Sequence, residues 1–175
     1  MPNSNDDAPV AVAAPAELTF ARLIGTGIVT KLFVNTGIQL WGPFRPIMAQ
    51  GLNTSVVVMG QLVSVRSLLG IFAPFFGSAA DRRGYRRIIR ICLWLSALGS
   101  IIFGLSPNIF VALIGMILMG LGASGFVPTL QAYVSAQLPY SRRARGIGML
   151  EYAWALTGIV GLFLIGHLIA ATNWR

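Results

Sequence analysis

The chain has 175 residues, 55% of them hydrophobic and 10% charged, with 13 lysines and arginines against 5 acids, a formal charge of +8 and a mean hydropathy of +0.74. A water-soluble domain carries about 25% charged residues, and a chain this short has no interior large enough to hide so much apolar side chain, so lipid takes the place of water as solvent. The basic balance does not mark nucleic-acid binding, because the arginines stand in short knots between apolar runs instead of along one polar face.

The first sixteen residues are rich in Pro, Ala and Asn and carry Asp6 and Asp7. They lack the basic start of a signal peptide, since the first basic residue is Arg22. Residues 1–16 therefore read as a disordered cytoplasmic tail, and 17–175 as one helical unit. Five apolar segments follow: Phe20–Met48, Thr54–Ala79, Ile88–Leu105, Ile109–Tyr133 and Ile147–Ala171. Each reaches or approaches the ~20 residues a spanning helix needs, and none alternates as a barrel strand does. The predicted fold is thus an all-α membrane protein of about five spanning helices.

The basic residues orient it. Arg82, Arg83, Arg86 and Arg87, with Arg90 just beyond, separate the second and third segments; Arg142, Arg143 and Arg145 separate the fourth and fifth. The connections "AQGLN" and "SPN" carry no charge. Basic residues resist translocation, so both charged connections and the N-terminus are expected on the cytoplasmic side, with "NWR" at the outer end.

Charges near the bilayer centre cost ~2.5–3.5 kcal/mol each on insertion scales and are candidates for function. Lys31, Arg66 and Glu151 qualify. Lys31, Asn35 and Gln39 recur every four residues and so share one helix face. Arg66 finds its only intramembrane acid in Glu151, and two bases against one acid leave a positive surplus that hints at an anionic substrate. Gly60 with Ser64, Ser96 with Ser100 and Gly120 with Ser124 suit close helix packing. Pro74 and Pro128 are expected to bend the second and fourth helices. Trp41 and Trp174 mark the outer interface, and Cys92, the single cysteine, reads as a buried small hydrophobe.

The stretch "GSAADRRGYRR", Gly77 to Arg87, holds five charges in eleven positions between apolar runs. It resembles the loop motif G-x-x-x-D-R-x-G-x-R-R/K between helices two and three of the major facilitator superfamily, matching at Gly77, Asp81, Arg82, Gly84, Arg86 and Arg87. "LWGPFRPIMAQGLN", "LPYSRRARGIGML" and the closing "NWR" resemble other parts of that family, so the likeness covers about Phe20 to Arg175. Physically, Gly84 gives the permissive φ a tight reversal needs, Gly77 lets a neighbouring helix approach, and Asp81 among arginines suits charge-assisted hydrogen bonds.

The resemblance implies a secondary transporter of small solutes in the cytoplasmic membrane, of twelve helices in two halves, with no cofactor, metal or catalytic residue. It implies that Asp81 meets a helix N-terminus in the second half and closes an inner gate. It also sets the first helix beside the central cavity, making Lys31, Asn35 and Gln39 candidate cavity lining. Five helices are fewer than the family's twelve, so the chain reads as an incomplete N-terminal bundle, inactive alone and lacking its C-terminal partner half. Two patterns depart from proton-coupled exporters: Met116 stands where many carry arginine, four residues before Gly120, and "TGIVGLFLIG" has no proline. Both weaken a proton-antiport assignment.

Two rival readings come from other classes. "GASG", Gly122 to Gly125, with His167 resembles the serine–histidine pairing of rhomboid intramembrane proteases, making Ser124 a nucleophile and His167 its base. Their positions oppose it, since His167 lies near the outer end of its helix and Ser124 in the inner half of another. A non-transporting accessory membrane protein is the second rival.

Overall fold

The computed structural model describes residues 20–171. The expected tail, Trp174 and the closing "NWR" lie outside them. The described chain is all-helical: α1 (Phe20–Gln39), α2 (Arg45–Gly51), α3 (Val56–Leu68), a 3₁₀ turn (Leu69–Phe72), α4 (Ala73–Arg83), α5 (Tyr85–Gly104), α6 (Ile109–Gln137), α7 (Tyr140–Leu156), a π turn (Thr157–Gly161) and α8 (Leu162–Ala171).

Four helical stretches among the described residues are long and apolar enough to cross a membrane: Val56–Arg83, Tyr85–Gly104, Ile109–Gln137 and Tyr140–Ala171. The sequence predicts a fifth, Phe20–Met48, as one helix. Instead α1 ends at Gln39 and a separate short helix, α2, begins at Arg45. At 20 residues α1 is about 30 Å long. Arg22, Lys31, Asn35, Gln39 and the threonines between them keep it less apolar than the other four.

Boundaries follow local chemistry. The Ser55 side chain accepts from the Val58 amide at 3.2 Å and opens α3, while Asn108 accepts from the Phe110 and Val111 amides at 3.1 and 3.0 Å and opens α6. Pro74 stands in the first turn of α4, where its missing N–H costs no hydrogen bond, and the 3₁₀ turn before it divides the second span. Pro128 lies inside α6, which continues through it to Gln137. The fourth and fifth helices are longer than predicted. Arg142, Arg143 and Arg145, expected in a loop, sit in the first two turns of α7, which starts after Pro139.

The helices pack around two apolar clusters. One joins Leu23 and Ile24 of α1, Ile88 and Cys92 of α5, Phe126 and Val134 of α6, and Leu150 of α7. The other gathers Trp41, Met48, Met59, Phe103 and Met116, with the Trp41 and Phe103 rings edge-to-face at 4.6 Å. Cys92 is fully buried, as the sequence suggests. The outward faces are apolar as well. Phe33, Leu68, Ile71, Trp94, Phe110 and Phe163 are all more than 60% exposed. Water tolerates no such continuous apolar exterior, whereas a bilayer requires it.

Glycine sets how closely α5 and α6 approach. A Cβ at Gly99 falls 2.6 Å from the Met119 nitrogen, and one at Gly115 falls 2.7 Å from the Phe103 nitrogen. Gly120 presses on α3 in the same way, and Gly122 on Ser96. Gly60, paired with Ser64 in the sequence reading, meets nothing within 4 Å.

Candidate functional site

Two groups of polar residues stand out from the apolar bundle. The first is the charged knot. Its connection is a single residue, Gly84, so that Asp81, Arg82 and Arg83 close α4 while Arg86 and Arg87 open α5. Gly84 has φ 87° and ψ 135°, which L side chains rarely adopt. Its amide donates to the Ala80 carbonyl at 2.8 Å and ends α4. The expected reversal at glycine is therefore in place.

The expected pairing of Asp81 with the arginines is not. No arginine of the knot reaches ion-pair distance of Asp81 among the described residues. Its carboxylate instead accepts from the Tyr85 hydroxyl at 2.7 Å, across the Gly84 reversal at the start of α5. Arg86 donates through Nε to the Tyr133 hydroxyl at 2.9 Å and lies 5.7 Å from that ring's centre, tying α5 to α6. Asp81 and the four arginines are exposed, and a Cβ at Gly77 meets nothing within 4 Å, so the helix approach expected there is not made among the described residues.

The second group follows the predicted polar face of α1. Lys31 is 2% exposed, and its ammonium donates to Glu151 Oε1 of α7 at 2.5 Å. The same oxygen accepts from Gln131 Nε2 of α6 at 2.9 Å, so one carboxylate joins three helices. Glu151 keeps 51% of its side chain exposed. One turn on, Asn35 is buried and its amide nitrogen has no hydrogen-bond partner among the described residues. A further turn on, Gln39 donates to the Trp154 carbonyl at 2.9 Å. The stripe thus lies against α7 and the π turn. Glu151 pairs with Lys31 and not with Arg66, against the ion pair that the sequence allowed. Gln131 was missed; it is the amide near the C-terminal end of the fourth segment, and its polarity there was the available signal.

Arg66 lies in α3 and lines a cavity of about 330 Å³ with residues of α1, α5 and α6. Ser124 donates to the Leu121 carbonyl of its own helix at 3.0 Å, and the His167 ring packs on Phe163 with centres 4.5 Å apart. No hydrogen bond joins that serine to that histidine, so the structure brings together no protease pair.

Apolar helices with lipid-type exteriors, joined by a glycine reversal flanked by arginines, define a multi-pass membrane protein. The family model described as Major Facilitator Superfamily matches residues 28–175, and the chain belongs to that family, one of transporters and not of enzymes. It is 29% identical over 158 residues to a protein named Uncharacterized MFS-type transporter YwfA of Bacillus subtilis, covering 89% of this chain and 38% of that one. It is 29% identical over 168 residues to Multidrug resistance protein MdtG of Yersinia enterocolitica, covering 90% and 39%. Against Glucose transporter GlcP of Staphylococcus epidermidis it is 26% identical over 127 residues, covering 72% and 26%. The chain thus spans less than two fifths of the length of these relatives. No solved structure matches.

Proposed function

We propose that these residues form part of the N-terminal bundle of a secondary transporter in the cytoplasmic membrane, one that carries a small solute by alternating access. The single observation that carries this reading is the family match over residues 28–175 together with the charged glycine turn between two spanning stretches. On this reading α1 is a fifth spanning helix, its polar face covered by α7. The N-terminus and both arginine-rich turns lie on the cytoplasmic side. Gly77, Asp81, Arg82, Gly84, Arg86 and Arg87 form the inner gate motif. The open space at Gly77 and the exposed Asp81 carboxylate leave that surface free for the remainder of the transporter. Transport then requires a second bundle for this one to rock against, and the chain alone carries no flux. Relatives named for drugs and for glucose leave the solute class to be settled by the site and not by the family.

Cysteines placed at Ser78 and Ser141 in a Cys92→Ala background test the orientation. Both should resist an impermeant thiol reagent applied outside intact cells and react after permeabilisation. Ready labelling from outside overturns the reading.

A further inference from the structure

We propose that the cavity between α1, α3, α5 and α6 binds a small amphipathic anion, a monocarboxylate with an apolar body, with Arg66 as its counter-charge. This deepens the transporter reading and rests on it. Charge accounting comes first. Glu151 is engaged by Lys31 and Gln131. Asp81 lies exposed at the end of α4 and bonds to Tyr85. No acid among the described residues remains for Arg66, whose guanidinium has neither ion-pair nor hydrogen-bond partner there. Its stem packs on α6, with only 3.0 Å between Arg66 Cγ and the place a Cβ on Gly120 would take. An unpaired, half-buried guanidinium among apolar side chains favours an anion.

The cavity supplies the rest. Its volume of about 330 Å³ lies at the small end for ligand pockets and suits a single ring or a short branched chain. Phe33, Ile38, Leu93 and Met119 make most of its wall apolar. Two serines line it, and neither turns a hydroxyl proton into it: Ser100 donates to the Ser96 carbonyl at 2.9 Å, and Ser96 Oγ is enclosed against Gly122 of α6. One planar guanidinium fork matches a single carboxylate. It does not satisfy a phosphate dianion, and a neutral sugar's many hydroxyls find no partners on so apolar a wall. An anionic lipid headgroup offers the same single negative charge, so the experiment separates the two sources.

The test uses the 175-residue chain in phosphatidylcholine nanodiscs and follows fluorobenzoate binding by fluorine NMR. Binding should be saturable. Fluorobenzamide, of the same shape without the charge, should bind at least about tenfold more weakly, as should fluorobenzoate to Arg66→Gln. The benzoate–benzamide comparison uses only the unaltered chain, so it stands even where Arg66→Gln fails to fold. Adding phosphatidylglycerol to the discs should leave benzoate affinity unchanged. Absent benzoate binding, equal binding of benzoate and benzamide, or displacement by phosphatidylglycerol overturns the proposal. None of these outcomes touches the orientation measured by cysteine labelling, so the two readings fail separately.

Discussion

Lys31 and Glu151 share one ion pair but not one environment. The lysine side chain is 3% exposed and the glutamate 51%. Removing one partner of a buried pair costs ~3–5 kcal/mol when the survivor stays enclosed. The losses should therefore be unequal. Glu151→Gln leaves an enclosed ammonium facing a neutral amide and should cost on the order of 3 kcal/mol. Lys31→Met leaves a half-exposed carboxylate that keeps Gln131 and can take up solvent or a proton, and should cost no more than ~1 kcal/mol. The double variant should be more stable than Glu151→Gln alone. Thermal melting in detergent measures all three, and equal losses for the two single variants would refute the asymmetry. Gly84 makes a second case at this scale. A Cβ there meets no atom, so Gly84→Ala tests the backbone alone, and at φ 87° it should lower stability by ~1–3 kcal/mol. Gly77→Ala, in ordinary helical conformation beside open space, should be neutral or gain a few tenths of a kcal/mol.

At the scale of elements the bundle depends on close approach between α5 and α6. Gly99 and Gly115 interlock, each leaving less than 3 Å between a hypothetical Cβ and the opposing backbone. Backbone cannot yield as a flexible side chain can. Gly99→Leu or Gly115→Leu should prevent the hairpin from packing and give aggregated protein on size-exclusion chromatography. Gly60→Leu, which meets nothing, should elute as the unaltered chain does. This contrast also marks what the sequence can and cannot tell. Runs of apolar residues announced the spanning helices, and four-residue spacing announced the face shared by Lys31, Asn35 and Gln39, because both are periodicities along one chain. The partners of that face come from residues about 120 positions away, and no local pattern distinguishes Lys31 from Arg66 as the mate of Glu151. Small-residue pairs were equally ambiguous. Gly120 packs and Gly60 does not, because contact depends on which way a helix is rotated in the bundle. The 3₁₀ turn at Leu69–Phe72 and the π turn at Thr157–Gly161 lie inside apolar runs where hydropathy is blind to the hydrogen-bond pattern. The charged knot was legible as a motif, but its arginines lie in helices because a one-residue reversal leaves them nowhere else to go.

For the whole molecule the question is what Asp81 does. Local scaffolding and an inner gate predict opposite results, and the structure sharpens the difference. Asp81 is exposed, has no arginine partner among the described residues, and makes one side-chain hydrogen bond there, to Tyr85 across the Gly84 reversal. An exposed contact of that kind contributes only ~0–1 kcal/mol. The Gly84 reversal and the apolar cluster that Ala80 of α4 shares with Ile88 and Cys92 of α5 hold the two helices without it. Asp81→Asn should therefore leave insertion and thermal stability of this chain nearly unchanged. Tyr85→Phe, which removes the same hydrogen bond from the other side, should be equally silent. A gate behaves differently. If Asp81 meets a helix N-terminus in the remainder of the transporter, loss of its charge removes an attraction that exists only in the inward-closed state. The full-length Asp81→Asn protein should then shift toward the inward-open state and lose transport, while Tyr85→Phe should not. A cysteine at a cavity-facing position of the full-length protein, probed from the cytoplasmic side, reads that shift as faster labelling. A large fall in melting temperature of the isolated chain, with unaltered labelling in the full-length protein, would show that the knot holds α4 to α5 and gates nothing.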